Sequence, residues 1–552
     1  MIDPRFPELT ARQIKKLHTY GTVETLSERT LIFKSGQTNY DFCVVLKGEI
    51  SVEDPSNDHA IIVTHKKNEF SGDNSMLSSR AAVLNGYAQE GTKILRIKPD
   101  KLKEAISKHS DISDVLLNAF LLRQETVLGD IIGGIKLVGT EDSKETYAIR
   151  DFMEKNHIWF HFIDVNKNED AIELLAHFDV SKEDLPVLIA DDKVCKNPTI
   201  EEVARNTGVL TDFDDTIFDV LVVGAGPAGL AASVYAASEG LNVVTIDGSA
   251  PGGQAGKSSK IENYLGFPTG ISGNDLANRA YVQAQKFGCT ISIPHEAKRI
   301  SRTGNHFKVE ATHGKTIETK SIVVATGANY RNLPIDNIED FEGSGVFYSA
   351  TGMNISSCTG EEVGVVGGGN SAGQAALFLA SHAKKVHIIL RGGDLGSKMS
   401  DYLVQRILAS PTITVHFHKE VTALGGNTHL EEITLTNNKE NTTEVLPISN
   451  LFTFIGAKPC TEWLEDLVAM DHRGFICTGE GISKEALQRC AIFDTREPQS
   501  LETNIPGFFA VGDVRKGSVK RVAGAVGEGS VVISQVHQYL GDLDRLAFAK
   551  AQ

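Results

Sequence analysis

Near the N-terminus apolar and polar positions alternate with a period close to two in five short segments, residues 30–34, 41–46, 49–53, 60–65 and 93–97. Gly36, Gly48 and Gly72 fall at the junctions between them, where positive φ costs glycine little. From residue 99 to 122 the period lengthens to that of a helix. A small β-roll followed by helices is predicted. Residues 133–209 show a second rhythm: a strand at 135–139, a helix at 143–156, a strand at 159–164, a helix at 170–178, the apolar "LPVLIADDKV", and a closing helix at 199–206. Beyond residue 216, β-branched runs twice feed into a glycine turn and a small-residue helix. The expected fold class is multidomain α/β: the β-roll with helices, a compact α/β unit, and two strand-turn-helix nucleotide folds.

At 552 residues the chain is long enough for three or four cores. Its formal charge of −16 works against a phosphate backbone or an anionic bilayer as partner, so nucleic acid is excluded. Seven scattered cysteines, none at C-x-x-C spacing, give no disulfide framework and no metal site, and point to the cytoplasm. No secretory signal pattern is visible at the start. Residues 220–238 are free of charge but hold three glycines and a proline in strand-turn-helix order, so a buried unit is expected and no membrane span.

The first glycine turn places Gly224, Gly226 and Gly229 between strand and helix, with Asp247 at the end of the next strand. Gly224 permits the tight turn, Gly226 lets the backbone approach a pyrophosphate, and Gly229 lets helix and strand pack closely. Asp247 would accept from ribose hydroxyls and repel a 2′-phosphate, which fits FAD or NAD. The second turn carries Gly367, Gly369, Asn370, Ser371 and Ala372. Its next strand ends on Leu390 and Arg391, followed by Lys398, a positive environment suited to the 2′-phosphate of NADPH. Two such turns on one chain make these Rossmann-type FAD and NAD(P) domains.

Residues 31–52 ("LIFKSGQTNYDFCVVLKGEISV"), 70–83 ("FSGDNSMLSSRAAV") and 116–124 ("LLNAFLLRQ") resemble a cyclic-nucleotide-binding domain over residues 1–125. The resemblance implies a ligand held by the cassette Gly72, Asp73 and Arg80. Asp73 stands where the family has a glutamate, and Arg80 arrives after seven residues where about ten are usual. A structural or protein-contact role is the competing expectation. Residues 133–210 are similar to thioredoxin and glutaredoxin, which implies a cis proline at Pro186. Where that family carries its dithiol this chain reads Thr140 to Lys144, with no thiol, so exchange chemistry is absent. Cys195 is expected to be an ordinary small hydrophobe.

The two glycine turns, "PGGQ" at 251–254, "IENYLGF" at 261–267, "VVATGA" at 323–328, "TFIGAKP" at 453–459 and the run at 506–529 together resemble the low-molecular-weight thioredoxin reductases. The resemblance implies an FAD domain at 216–336 and 461–552 and an inserted NAD(P)H domain at 337–460. It further implies FAD contacts from Gly253, Gln254, Asn263, Gly327, Asp513, Arg521, Val522 and Ala523, and a homodimer. The family's redox C-A-T-C aligns with Ser349-Ala350-Thr351-Gly352, so both sulfurs are missing. Serine lacks the thiolate character to attack a disulfide. Cys358, six residues on, has no partner nearby in sequence.

The expectation is an NAD(P)H-dependent flavin oxidoreductase that passes hydride from NADPH, with NADH as an alternative donor, to FAD. Electrons would then go directly to a quinone, oxygen or a ferredoxin-like protein. The competing readings are a flavin-containing redox or nucleotide sensor with vestigial catalysis, and a disulfide reductase using a rearranged thiol.

Overall fold

The computed structural model describes all residues except 1–2, 56–58, 74, 79–81, 131–134, 142, 169–174, 176–179, 191–192, 211–215, 259, 351–353, 428 and 552. It shows a mixed α/β chain of several domains, two of them Rossmann-type. All five N-terminal segments fall within one residue of their expected bounds, at Thr30–Phe33, Phe42–Lys47, Ile50–Asp54, Ala60–His65 and Lys93–Ile97. Three short strands, Thr22–Thr25, Phe70–Ser71 and Asn85–Ala88, complete two four-stranded antiparallel sheets. They are too short for periodicity to reveal. The expected continuous helix is two helices, Pro99–Lys108 and Ser110–Asp130, because His109 adopts extended backbone (φ −126°, ψ 97°).

The second unit orders its strands His161–Asp164, Ile135–Gly139, Val187–Ala190 and Lys193–Lys196, with the first pair parallel and the rest antiparallel. Its first helix, Lys144–Lys155, starts where Ser143 accepts the Thr146 N–H. Its last, Ile200–Asn206, starts with a capping box between Thr199 and Glu202. The helix expected at 170–178 falls almost wholly outside the described residues. The Leu185–Pro186 peptide is cis.

Two further sheets carry the glycine turns. The first, seven-stranded, has Ile217–Val223 between Val243–Ile246 and Thr316–Val324, all parallel. The second has Glu362–Val366 between Lys385–Leu390 and Asn450–Thr453, again parallel. Both central strands are buried β-branched runs, as a sheet covered on both faces requires. The chain leaves the seven-stranded sheet's domain through Ala328–Tyr330 and returns through Ala457–Pro459, which pair antiparallel and connect it to the domain of the other glycine turn.

The second unit is not a loose appendage. Its Leu137, Ile149, Phe152 and Met153 share one continuous core with Val220, Val222 and Val243 of the seven-stranded sheet. Burying a side chain of that size stabilises by about 1.5–3 kcal/mol. Asn156, fully buried, donates through Nδ2 to the carbonyls of Phe152 and Ser249, at 2.9 and 2.8 Å. Among the described residues, no helix is long and apolar enough to cross a membrane.

Candidate functional site

The first glycine turn sits at the carboxyl end of Ile217–Val223, against the helix Pro227–Ser238. Gly224 has φ +107°, and a Cβ there would lie 2.4 Å from the Ala325 carbonyl oxygen. A Cβ on Gly229 would lie 1.8 Å from the Gly224 carbonyl oxygen, so this residue sets how closely helix and strand approach. Gly226 differs: its Cβ would meet only the Cα of Gly253, 3.9 Å away. The two glycine loops therefore approach each other closely at the positive end of a helix, a cradle with no side chain at either position to block a pyrophosphate.

Asp247 buttresses this cradle. Its Oδ2 accepts the Ala225 N–H at 2.8 Å, and Oδ1 accepts from Ser249 and Ala250 at 2.8 and 3.1 Å. Burial outweighs these three bonds and raises its pKa above the ordinary value. Most of the acceptor capacity expected for a ribose is thus spent on the chain's own loops, and Oδ2 keeps the free lone pair.

Opposite lies Gln254, whose Nε2 donates to Asn329 Oδ1 at 3.0 Å while its buried Oε1 has no partner among the described residues. An orphaned buried carbonyl is costly and marks where a ligand's donor belongs. A Cβ on Gly327 would meet nothing within 4 Å, leaving further room on the same side. Asn263 is exposed nearby in sequence, and the adjacent Glu262 reaches Arg406 of the other unit at 2.6 Å. Asp513 is half-buried, its pKa raised by burial and partly restored by Lys520, which donates to its backbone carbonyl. Arg521 and Ala523 are exposed and Val522 half-buried at the start of the helix Val522–Ala551. Sequence reasoning missed Glu528, inside that same motif. Its carboxylate accepts the Gly512 N–H at 2.7 Å and pairs with Arg515, bracing the Asp513 loop. The residues present fit an FAD.

The second turn has the same construction. Gly367 (φ +137°) lies against the Phe454 carbonyl, whereas a Cβ on Gly369 would meet nothing within 4 Å. Ala372 is fully buried, and Asn370 Oδ1 accepts the Ser400 N–H at 2.7 Å. Arg391 and Lys398 are exposed at the strand end and loop beyond, with no ion pair among the described residues. They are free to receive a phosphate.

Ser349 and Ala350 line a gap with Gln254, Lys257, Ser371 and Phe454. Its volume is about 20 Å³, room for little more than one water. Thr351 and Gly352 lie outside the described residues. Cys358 is fully buried, and burial pushes its thiol up to about 11, so it is a poor nucleophile. All seven cysteines are free thiols, and no cluster of metal-binding side chains is found among the described residues. Cys195 is half-buried and takes a hydrogen bond from Asn206 at 3.2 Å.

In the N-terminal domain Asp73 is engaged internally: its Oδ1 accepts from Tyr40 at 3.1 Å and from the Ser75 N–H at 2.7 Å. Gly72 (φ +135°) leaves no room for a side chain beside Met76. Arg80 lies outside the described residues. A residue the sequence did not flag, Arg123 of the helix Ser110–Asp130, is buried and donates to the carbonyls of Arg5, Phe70 and Gly72. Contacts of such long sequence separation leave no local pattern.

The pyridine nucleotide-disulphide oxidoreductase family matches residues 218–529, and the cyclic nucleotide-binding domain family matches residues 23–109. A thioredoxin reductase of Mycoplasma pneumoniae is 32% identical over 336 residues, 60% of this chain and 99% of that protein. The "34.2 kDa protein in rubredoxin operon" of Clostridium pasteurianum is 30% identical over 323 residues, 58% of this chain and 97% of that protein. Among solved structures, Lactococcus lactis thioredoxin reductase in its FR conformation superposes with a TM-score of 0.52 at 27% identity, over 59% of this chain and 99% of that one.

Proposed function

Since the chain belongs to the pyridine nucleotide-disulphide oxidoreductase family, whose thioredoxin reductase-like members are NAD(P)H-dependent enzymes using FAD and NADPH, we propose that it moves electrons from NADPH through FAD straight to an external acceptor. The observation that carries this reading is Ser349, which stands in the gap between the two nucleotide-binding units where a relay sulfur would have to stand. Cys358, the nearest cysteine in sequence, is sealed in the core with its pKa raised. The FAD would lie between the Gly226–Gly253 cradle and the Asp513 loop, with Gln254 donating or accepting at its edge. NADPH would use Gly369 and the helix Asn370–Leu379, with Arg391 and Lys398 at its 2′-phosphate. NADH is the alternative donor.

Acceptors of three classes suit a route without thiols: a quinone, oxygen, or a small ferredoxin-like carrier. The relative named for a rubredoxin operon supports the last. The second unit reads as a thioredoxin-like domain without its dithiol, supported by its strand order and the cis Leu185–Pro186 peptide. It would serve as an internal docking surface, and the N-terminal domain as a regulatory input. A homodimer in the cytoplasm is the expected setting.

Cys358→Ala tests the thiol-free route. Turnover of NADPH with menadione should stay within about twofold of the unaltered protein, and its loss would restore the rearranged-thiol reading. The sensor reading is favoured by the narrowness of the Ser349 gap, and separates kinetically: a sensor would be reduced slowly and would not cycle.

A further inference from the structure

The gap beside Ser349 holds about one water, so an acceptor larger than oxygen needs another approach. A cavity of about 550 Å³, within the size range of small-ligand sites, opens where the two crossing strands Ala328–Tyr330 and Ala457–Pro459 meet. Its wall carries Asn329, Arg331, Lys458, Cys460, His472 and Arg473, with Glu462 as the single acid among the described residues. In a chain of formal charge −16, three cations and a histidine converging on one cavity run against the overall balance. Glu462 pairs with Lys458 at 2.6 Å, and Arg331 repels that lysine from nearby. Among the described residues, the one acid paired with Arg473 is Asp471, at a long 3.9 Å. Two guanidinium groups therefore remain undercompensated, and like charges held together lower their energy when an anion joins them.

The cavity and the flavin cradle share a wall. Asn329 accepts from Gln254, the residue with the orphaned carbonyl. Cys460 donates its N–H to the carbonyl of Gly327 at 3.1 Å and accepts from the Thr326 hydroxyl at 2.8 Å. On the far side Arg473 and Lys520 flank the same Phe475 ring, at 5.2 and 4.6 Å, and Lys520 continues to the Asp513 carbonyl. A line of cations thus runs from the cavity to the loop proposed to hold the flavin.

We propose that this cavity is the entry site for a small anionic electron acceptor, held by Arg331 and Arg473. The proposal rests on the reading that electrons leave to an external acceptor, and supplies the acceptor's charge and place. Overall, one NADPH and two one-electron acceptor anions give NADP⁺, one proton released to solvent, and two acceptors each one electron richer.

The test uses the full-length flavoprotein and two readouts. Hexacyanocobaltate(III), a redox-inert trianion, should slow alkylation of Cys460 by iodoacetamide at least fivefold, followed on the Cys460 peptide by mass spectrometry at matched ionic strength. The double variant Arg331→Ser/Arg473→Ser should lose that protection. The same variant should raise KM for ferricyanide about tenfold or more while turnover with neutral p-benzoquinone stays within twofold. Unprotected Cys460 alongside normal benzoquinone turnover overturns the anion site and leaves the external-acceptor reading standing. Protection with no turnover on either acceptor overturns that reading, and the acceptor assignment with it. Equal losses on both acceptors in the variant also overturn the proposal.

Discussion

The rings of Tyr147 and Phe347 lie 5.9 Å apart, centroid to centroid, and join two domains at a decisive place. Tyr147 belongs to the helix Lys144–Lys155 of the unit at residues 135–206, and Phe347 precedes Ser349 by two residues. Tyr147 packs against the core of the NAD(P)H unit and hydrogen-bonds Asn354, five residues beyond Ser349. Because the same helix is anchored by Phe152 and Met153 in the core of the FAD unit, it straps both nucleotide-binding units at once. A reaction that needs those units to rotate would have to release this strap.

Tyr147→Ala should therefore loosen the junction more than the fold. Loss of the aromatic pair and its hydrogen bond should cost about 2 kcal/mol. Hydrogen exchange is expected to rise over residues 144–155 and 346–350 while the sheet strand Ile217–Val223 stays protected. Unchanged exchange at 346–350 would show that the helix does not hold that segment.

The glycine turn offers a paired test. Gly224→Ala places a Cβ 2.4 Å from a carbonyl oxygen at a positive φ, and should yield little folded protein. Gly226→Ala has space for its methyl group in the protein itself, so circular dichroism should be native. The methyl group would instead occupy the approach to the pyrophosphate. Purified Gly226→Ala should retain less than a tenth of the bound yellow cofactor, a contrast that neither substitution would give were the turn purely structural.

These contrasts separate what the sequence could reveal from what it could not. The glycine turns were legible because their requirements are local: a positive φ, a helix packed within reach of a carbonyl, a strand on either side. Five N-terminal strands and the starts of the helices near Ser143 and Thr199 were legible for the same reason. The break at His109 was not, since nothing within one turn of the helix forbids continuation and tertiary packing decides it. Nor could spacing show that Asp247 spends its carboxylate on Ala225, Ser249 and Ala250, or that Arg123 clamps Gly72 from the far end of the domain. Nor does the local pattern around Tyr147 show which core its ring enters.

The proposed NADPH site makes Arg391 the residue that sets the donor preference. Arg391→Ser should raise KM for NADPH about tenfold or more, the scale of one lost charge-assisted contact, and leave KM for NADH within twofold. Steady-state kinetics with both donors decides it. An equal effect on both would make Arg391 a general surface charge.

A stacked histidine pair sets an acid limit. His387 Nδ1 and His416 Nε2 are 2.9 Å apart, with Glu362 beyond His387 at 3.1 Å and Glu444 beyond His416 at 3.7 Å; Lys385 and Lys419 also bear on His416. Burial lowers both pKa values, His416 to about 4, so both rings are neutral in the fold. An unfolded histidine binds its proton near pH 6.5. Below that pH the unfolded chain takes up protons that the fold refuses, so stability is full above about 6.5 and falls as pH drops toward 4, by about 3 kcal/mol for His416. Urea unfolding at pH 7 and pH 4.5 should show a smaller difference for His416→Gln than for the unaltered protein.

The most direct test is an anaerobic reductive titration of the flavin-loaded protein with dithionite, with thiols counted in denaturant before and after. Direct transfer without a relay predicts two electrons per chain, complete bleaching of the flavin, and seven thiols throughout. Uptake of four electrons, or the appearance of two new thiols on reduction, would contradict it and reveal a disulfide relay.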